Sequence, residues 1–384
     1  MPRGFQQWVR PLQRAVKARR LWASHLGPDL GGQGYGQVKL ALMNEILGRS
    51  RFAPVVFGAQ APDSGNSEIL AHFGTPQQKQ RYLEPLLAND VVSCFAMSDP
   101  QGGADPQAAR TRAVRVGDDW IVTGQKWFAP NARYAGFLIV MAVTDADVPA
   151  GQGTTMLIVP AGTPGLNIIR NTACGDEAAT HAYVEFDHVR VGIDNVLGPV
   201  GGAFAVAQVR LGGGRVHDAM RVVGQAQKAL DALCERSLSV STQGTRLADR
   251  QMVQERIADS WIELEQFRLL VMRTAWRIDK YQDYRKVPKD ISAVKAAMPK
   301  VLHDIAARAL HLHGSLGISN EMPFAALVNR AFQLGLADGP TELHKVTVAK
   351  EVLRDYEPCV DLFPAYHGPT AEIAAREKFK VAAA

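Results

Sequence analysis

A block of short strands lies between two blocks of helices, and that order restricts the fold more than any single motif does. Residues 1–92 read as helices interrupted by glycine and proline. PLQRAVKARRLW, QVKLALMNEILGRS and TPQQKQRYLEPLLA each carry helical periodicity, and Thr75–Pro76 marks a helix start. Residues 93–198 change character. SCFAMSD, DDWIVTG, FLIVMAV, TTMLIVP and HAYVEFDHVRV are short and rich in β-branched and aromatic residues, with turn residues such as Gly117, Asp118 and Asp119 between them. LGPVGG closes this block. Residues 199–367 return to long helices. In ADRQMVQERIADSWIELEQFRLLVMRTAWRIDKY, residues Ile257, Trp261, Leu264, Val271, Ala275 and Ile278 fall on one face, the spacing of a bundle helix. Residues 368–384 read as a tail. The pattern predicts an α+β fold with a ligand where the blocks meet.

The chain's 384 residues suffice for one compound domain or for two to three packed ones. Hydrophobic residues make up 47% and charged residues 21%, which argues against disorder. The net charge of +5 suits a phosphate-bearing ligand. It is evenly spread and lacks a basic block with interleaved aromatics, so nucleic acid is not an expected partner. Cys94, Cys174, Cys234 and Cys359 lie far apart, without a C-x-x-C or a histidine at metal spacing. They read as free thiols in a reducing compartment, with no metal site. No apolar stretch reaches ~18 residues, so no membrane span is expected. The segment before Asp29 is Arg-rich, as a mitochondrial transit peptide is. Phe5, Val9, Leu12 and Val16 nevertheless recur at helical spacing, which predicts an amphipathic first helix. A cytoplasmic location in a bacterium is expected, with a mitochondrial one as the alternative.

One acid stands apart. In GLADGPTELHKV, Asp338 precedes a Gly-Pro break and the start of a helix. Local preference makes it a helix cap, because Asp is favoured at a helix N-terminus and Pro in its first turn. The same position suits a general base, and the local sequence leaves both roles open.

Four segments, in order and at the right separations, resemble the acyl-CoA dehydrogenase family. They are SCFAMSDPQGGAD, VTGQKWFAPNARYAGFLIV, FDHVRVGIDNVLGPVGGAF and HLHGSLGISNEMPFAALVNRAFQLGLADGPTELHKVTVAKEVL. FGAQAPDSGNSEIL, LADGP and RLGGGRVHDAMR look closest to the branch that includes animal members 10 and 11. The resemblance covers nearly the whole chain. It implies an N-terminal helical domain, a central β-barrel-like domain and a C-terminal four-helix bundle. It also implies FAD, an acyl-CoA substrate, an electron-transferring flavoprotein or equivalent acceptor, and a homodimer or homotetramer, with a hetero-oligomer as the alternative. In the implied reaction a carboxylate removes the α-proton of the thioester while the β-hydride passes to flavin N5, giving a 2,3-enoyl-CoA. The family's catalytic Glu falls on Asp338, and in the resembling branch that residue is Asp. A second base position used by some relatives falls on Gly214, which carries no acid.

By the same resemblance, Phe95, Met97, Ser98, Trp127, Ala129, His311, Gly314, Ser315 and Glu342 fall on the cofactor side. Ala104, Arg215, His217 and Gly339 fall on the substrate side. Residue by residue, Arg215 and His217 are equally readable as surface or core polar groups, and Trp127 as a core aromatic. The chain also departs from the family pattern. Ser98 keeps the hydroxyl of a Thr, but Ala129 replaces a Thr near flavin N5 and Ala104 replaces a Ser at a phosphate contact. Val240 and Gln243 stand where an Arg and a Phe reach a neighbouring subunit's pyrophosphate, and His311 and Ser315 replace a Gln and a Gly. Each lost polar contact is worth ~0.5–1.5 kcal/mol. Together they predict weakened FAD binding, about a thousandfold if the losses reach ~4 kcal/mol. A partner subunit with an incomplete FAD site and a non-oxidising CoA-ester binder are therefore the competing expectations.

Overall fold

The computed structural model describes residues 3–105, 108–173, 180–240, 244–358, 362–364 and 366–380. Cys174, Cys359, Gln243 and the side chain of Phe5 lie outside what is described. Among the described residues, six α-helical segments precede the sheet: α1 (Arg3–Ala18), α2 (Gln37–Gly48), α3 (Ala53–Val56), α4 (Asp63–Phe73), α5 (Pro76–Gln78) and α6 (Glu84–Ala88). Thr75 caps α5 as expected. Its hydroxyl accepts from Gln78 N while the Gln78 side chain accepts from Thr75 N, a reciprocal capping box. Gln78 also donates to the carbonyls of Asp194 and Val196, each at 2.8 Å, which ties this helix to the far end of the β block. In α1, Val9 and Val16 are buried while Trp8 and Leu12 are exposed, so the helix is amphipathic but its apolar residues are not all covered.

The seven strands are β1 (Ser93–Ala96), β2 (Arg112–Val116), β3 (Asp119–Pro130), β4 (Phe137–Val143), β5 (Thr154–Pro160), β6 (Leu166–Thr172) and β7 (His181–Gly192). They form one sheet in the order β1-β4-β2-β3-β7-β6, with β5 also paired to β4. β1 and β4 run parallel, whereas β2–β3, β3–β7, β4–β5 and β6–β7 are antiparallel. The short α7 (Ala150–Gly153) precedes β5. Strands β4 and β5 are continuously apolar because both of their faces are covered. Leu138, Val140, Leu157 and Val159 enter the core of the β domain, while Phe137, Ile139, Met156 and Ile158 pack against helices. α4, at the centre of that second core, is buried along most of its length.

The C-terminal domain contains α8 (Ala203–Leu238), α9 (Gln251–Tyr281), α10 (Pro288–His313), α11 (Ser315–Ile318), α12 (Phe324–Leu336) and α13 (Thr341–Leu353). α10 is its hub, packed on α8, α9, α12 and α13. Leu264, Val271, Ala275 and Ile278 of α9 are buried as their spacing predicts, but Trp261 is exposed. It joins Met252, Ile262, Leu269 and Trp276, also exposed on α9. The bundle reaches back into the first block: Leu40 and Ala41 of α2 belong to the same core as Val216 and Leu264. Asp279 of α9 accepts from the backbone N–H groups of Gln37 and Val38 at 2.6 and 2.9 Å, placing a carboxylate at the α2 N-terminus. The segment read as a tail carries an exposed helix, α14 (Gly368–Phe379). No helix among the described residues is long and apolar enough to cross a membrane. Thr75→Ala should remove the capping box and lower stability by ~1 kcal/mol in urea unfolding. An unchanged midpoint would show that the contacts of Gln78 hold the segment without it.

Candidate active site

The turn between α12 and α13 sets the geometry. Asp338 adopts φ 55° and Gly339 φ 99°, two successive left-handed residues, and Asp is among the residues that tolerate this region. The N-cap of α13 is Pro340, so Asp338 does not cap the helix. The Asp338 carbonyl instead accepts from Arg215 Nε at 2.9 Å and from His344 Nε2 at 3.2 Å. Since a carbonyl only accepts, His344 must carry its proton on Nε2, which leaves Nδ1 to accept from the Ser292 hydroxyl at 3.3 Å. Burial, aided by Arg215, lowers the His344 pKa to about 4, so the ring is neutral at physiological pH. These contacts turn the Asp338 carboxylate toward α8. Its Oδ2 lies 3.9 Å from where a Cβ on Gly214 would sit, and nothing else lies within 4 Å of that point.

Three cations act on this carboxylate: Arg210 and Arg215 from α8, and Lys295 from α10. Lys295 donates to the Leu334 carbonyl at the end of α12, and burial lowers its pKa to about 8. Arg210 is buried; its Nε donates to Asn66 Oδ1 at 3.1 Å and its guanidinium lies 3.9 Å from the centre of the Phe95 ring. The neighbouring glycines let other groups come close. A Cβ on Gly213 would fall 2.8 Å from Glu68 Oε2, and one on Gly212 would fall 3.2 Å from the Tyr284 ring.

A second cluster sits where β1 ends against β3. Lys126 and Asp99 form a fully buried ion pair at 2.5 Å, and Lys126 also donates to the Met97 carbonyl at 2.8 Å. Asp99 accepts from the backbone and hydroxyl of Thr111. Trp127 N donates to the Ser98 carbonyl at 2.9 Å. The backbone from Phe95 to Ser98 is therefore fixed, while the Ser98 side chain is exposed and makes no hydrogen bond to another described residue. A β-bulge between Lys126 and Ala129 sets Phe128 at φ 50°. The half-buried Trp127 ring lies among Phe128, Tyr183 and Arg170. An open hydroxyl beside a fixed strand end and a partly exposed aromatic ring fit the ring system of a flavin. Ala129 is buried and offers no polar side-chain atom. A cleft of about 520 Å³ beside Asp99, Arg110, Gln125 and Glu185 is not lined by Trp127, Arg210 or Asp338.

Family models describe these three domains in this order. The acyl-CoA dehydrogenase N-terminal, middle and C-terminal domain models match residues 5–90, 94–189 and 201–353. The chain belongs to the acyl-CoA dehydrogenase family. A Mycobacterium tuberculosis protein provisionally named acyl-CoA dehydrogenase FadE2 is 36% identical over 90% of this chain and 85% of its own. Acyl-CoA dehydrogenase family member 11 of Rattus norvegicus is 36% identical over 91% of this chain but only 46% of its own, so the chain spans less than half of that relative. A structure from Mycobacterium abscessus, provisionally assigned as an acyl-CoA dehydrogenase, superposes with a TM-score of 0.86 at 37% identity, covering 91% of this chain and 87% of that one. Family membership carries the enzyme class, an FAD-dependent oxidoreductase acting on acyl-CoA.

Within this dehydrogenase fold, Asp338, Gly339, Arg215 and Gly214 come together, and Phe95, beneath Arg210, adjoins them. Met97, Ser98, Trp127 and Ala129 gather at the β3 bulge. His217 is buried against Gln37 and His25, the bland core role left open by its sequence. His311, Gly314 and Ser315 are exposed at the C-terminal end of α10, and Glu342 is exposed in the first turn of α13. No described contact joins these four to Asp338 or Trp127. Ala104 is exposed, and so is Val240. The nearby Arg246 is engaged by Asp249 at 3.0 Å.

Sequence reasoning missed Arg210, Lys295, Glu68 and Tyr284. Glu68 lies in the FGAQAPDSGNSEIL segment and Tyr284 in a distant connector, and only the fold joins them. Gln37 donates to the Tyr284 hydroxyl at 3.2 Å and accepts from His217 Nε2 at 3.1 Å, and Tyr284 in turn hydrogen-bonds Glu68. Burial raises the Glu68 pKa to about 8 and lowers that of His217 to about 3, so both are predominantly neutral at pH 7. Because the folded pKa of Glu68 is raised, its contribution to stability is full below its ordinary value of 4.5 and is lost as pH rises toward 8. Glu68→Gln keeps a neutral side chain of the same shape. Its stability relative to wild type should therefore improve by ~2–4 kcal/mol between pH 5 and pH 8.5, measured by denaturant unfolding. A difference constant across that range would contradict the assignment.

Proposed function

We propose that this chain removes hydrogen from Cα and Cβ of an acyl-CoA thioester, with Asp338 as the base that takes the α-proton. The observation that carries this reading is the Asp338 carboxylate facing the bare α8 surface at Gly214. Both base positions known in the family converge there, and only one holds an acid. An Asp reaches one methylene less far than a Glu. The left-handed turn, anchored by Arg215 and His344, supports this reading by bringing the backbone toward α8. Arg210, Arg215 and Lys295 are donors, so Asp338 is the proton acceptor among them. Phe95, Met97, Ser98 and Trp127 would hold the ring of FAD, which when bound takes up the β-hydrogen with its electron pair. The electrons then pass to an electron-transferring flavoprotein or an equivalent acceptor.

Asp338→Asn should fold normally and lose turnover by at least ~10³-fold, measured as flavin bleaching by acyl-CoA. Near-normal turnover would move the base elsewhere. Asp338→Glu is a companion whose added methylene tests how closely the turn is set.

The phosphate side of FAD is the weaker side of the site. Ala104 carries no hydroxyl, Val240 carries no cation, and Arg246 is already paired. These observations favour, as a second reading, a partner subunit whose FAD site is completed by an unlike chain. The exposed apolar residues of α9 and of α13, including Leu343, Val346 and Leu353, support a dimer or tetramer built through the C-terminal domain. FAD titration of apoprotein, with sedimentation of the same samples, tests both points. A dimer or larger with micromolar FAD affinity that tightens in Val240→Arg is expected. A monomer that holds FAD at nanomolar affinity, with no gain in Val240→Arg, would overturn both. Tight binding only with a second, unlike chain would establish the partner-subunit reading.

A further inference from the structure

Arg210 is a buried charge that the proposed proton transfer does not use. It is 9% exposed, and its one described hydrogen bond is from Nε to Asn66. No carboxylate among the described residues forms an ion pair with it. Its outer nitrogens are therefore left without a described partner in a place where a lone charge is costly. The groups around it do not neutralise it. The Cys94 thiol is driven upward by burial, and Asp218 is held by Arg221 at 2.6 Å and by Arg330 at 3.7 Å. Glu68 is itself largely uncharged at neutral pH. That leaves Asp338 as the carboxylate shared among Arg210, Arg215 and Lys295.

Space accompanies the charge. The helix face one turn beyond Arg210 is bare at Gly214, where an added Cβ would meet only Asp338. Arg210 also lies over Phe95, on the strand whose far end is the flavin-side cluster. A hydrocarbon chain entering beside Asp338 would leave this guanidinium unpaired, whereas an anion would satisfy it.

We propose that Arg210 binds an anionic group carried on the acyl chain, so that the preferred substrates are short acyl-CoAs bearing a carboxylate or comparable oxyanion rather than plain fatty acyl-CoAs. This rests on the acyl-CoA dehydrogenase reading and names the substrate class for the same site. An arginine suits the task because its planar fork of donors matches an oxyanion in a bidentate manner and remains charged when buried. A site built to pair a charge also rejects the analogue that lacks it.

The test uses FAD-loaded Asp338→Asn, which should bind substrates without consuming them. Dissociation constants are read from the perturbed flavin absorbance for length-matched pairs: butyryl- and succinyl-CoA, pentanoyl- and glutaryl-CoA, hexanoyl- and adipoyl-CoA. The carboxylated member of at least one pair should bind about tenfold more tightly or better. Adding Arg210→Met should abolish or reverse that preference, and Arg210→Lys should retain part of it. The comparison within each pair in Asp338→Asn alone stands even if the added Arg210→Met fails to fold. Tighter binding of the plain acyl chain in every pair, or equal weakening of both members by Arg210→Met, overturns the proposal and leaves the dehydrogenase reading intact. If no member of any pair perturbs the flavin, both fall.

Discussion

The site depends on how closely other groups approach α8 along Gly212, Gly213 and Gly214. Side chains at the first two would crowd the Tyr284 ring and Glu68 Oε2, and one at the third would occupy the space beside Asp338. Glycine inside a helix costs about 1 kcal/mol relative to alanine, and three in succession would weaken an isolated helix badly. Here α8 runs for 36 residues between α2, α4, α9 and α10, so packing rather than propensity holds it. The bare stretch lets Glu68 of the N-terminal domain, Tyr284 and Asp338 approach α8 within three consecutive residues, where we place the proposed chemistry.

Charge at that point is arranged by burial as much as by pairing. Glu68, His217 and His344 are kept neutral at pH 7, while Arg210, Arg215 and Lys295 act electrostatically with the Asp338 carboxylate. The cluster at the β1 end uses a different device, since Asp99 and Lys126 are both buried and directly paired. Removing either partner there would leave a lone buried charge, a loss of ~3–5 kcal/mol. That pair fixes the strand end carrying Met97 and Ser98, so in the proposed site the sheet supplies the rigid part and the helices supply the base.

The block order and the strands β1, β3, β4, β5 and β7 were legible in the sequence because their apolar runs are continuous or alternate strongly. β2 and β6 were missed: RAVRV and LNIIRNT are largely exposed, so burial did not shape their composition. The membership of α2 in the bundle core was not legible either, because it depends on Asp279 and on packing against α8. Trp261 fitted the helical spacing yet points outward, since periodicity identifies a face and not what covers it. Asp338 was legible as a candidate from the motif, but that it does not cap the helix was decided by the position of Pro340 at the α13 N-cap. Arg210 was hidden because a lone Arg before a glycine run has no signature until the fold buries it.

In the proposed reaction the Asp338 carboxylate removes the α-proton. A 3-thia-acyl-CoA separates this step from oxidation, because sulfur stands where the β-carbon would lose its hydrogen. The measurement is exchange of the α-hydrogens with heavy water, followed by proton NMR with FAD-loaded protein. Exchange well above the solvent background is expected in wild type, and background exchange in Asp338→Asn. Equal exchange by the two proteins would contradict that role for Asp338.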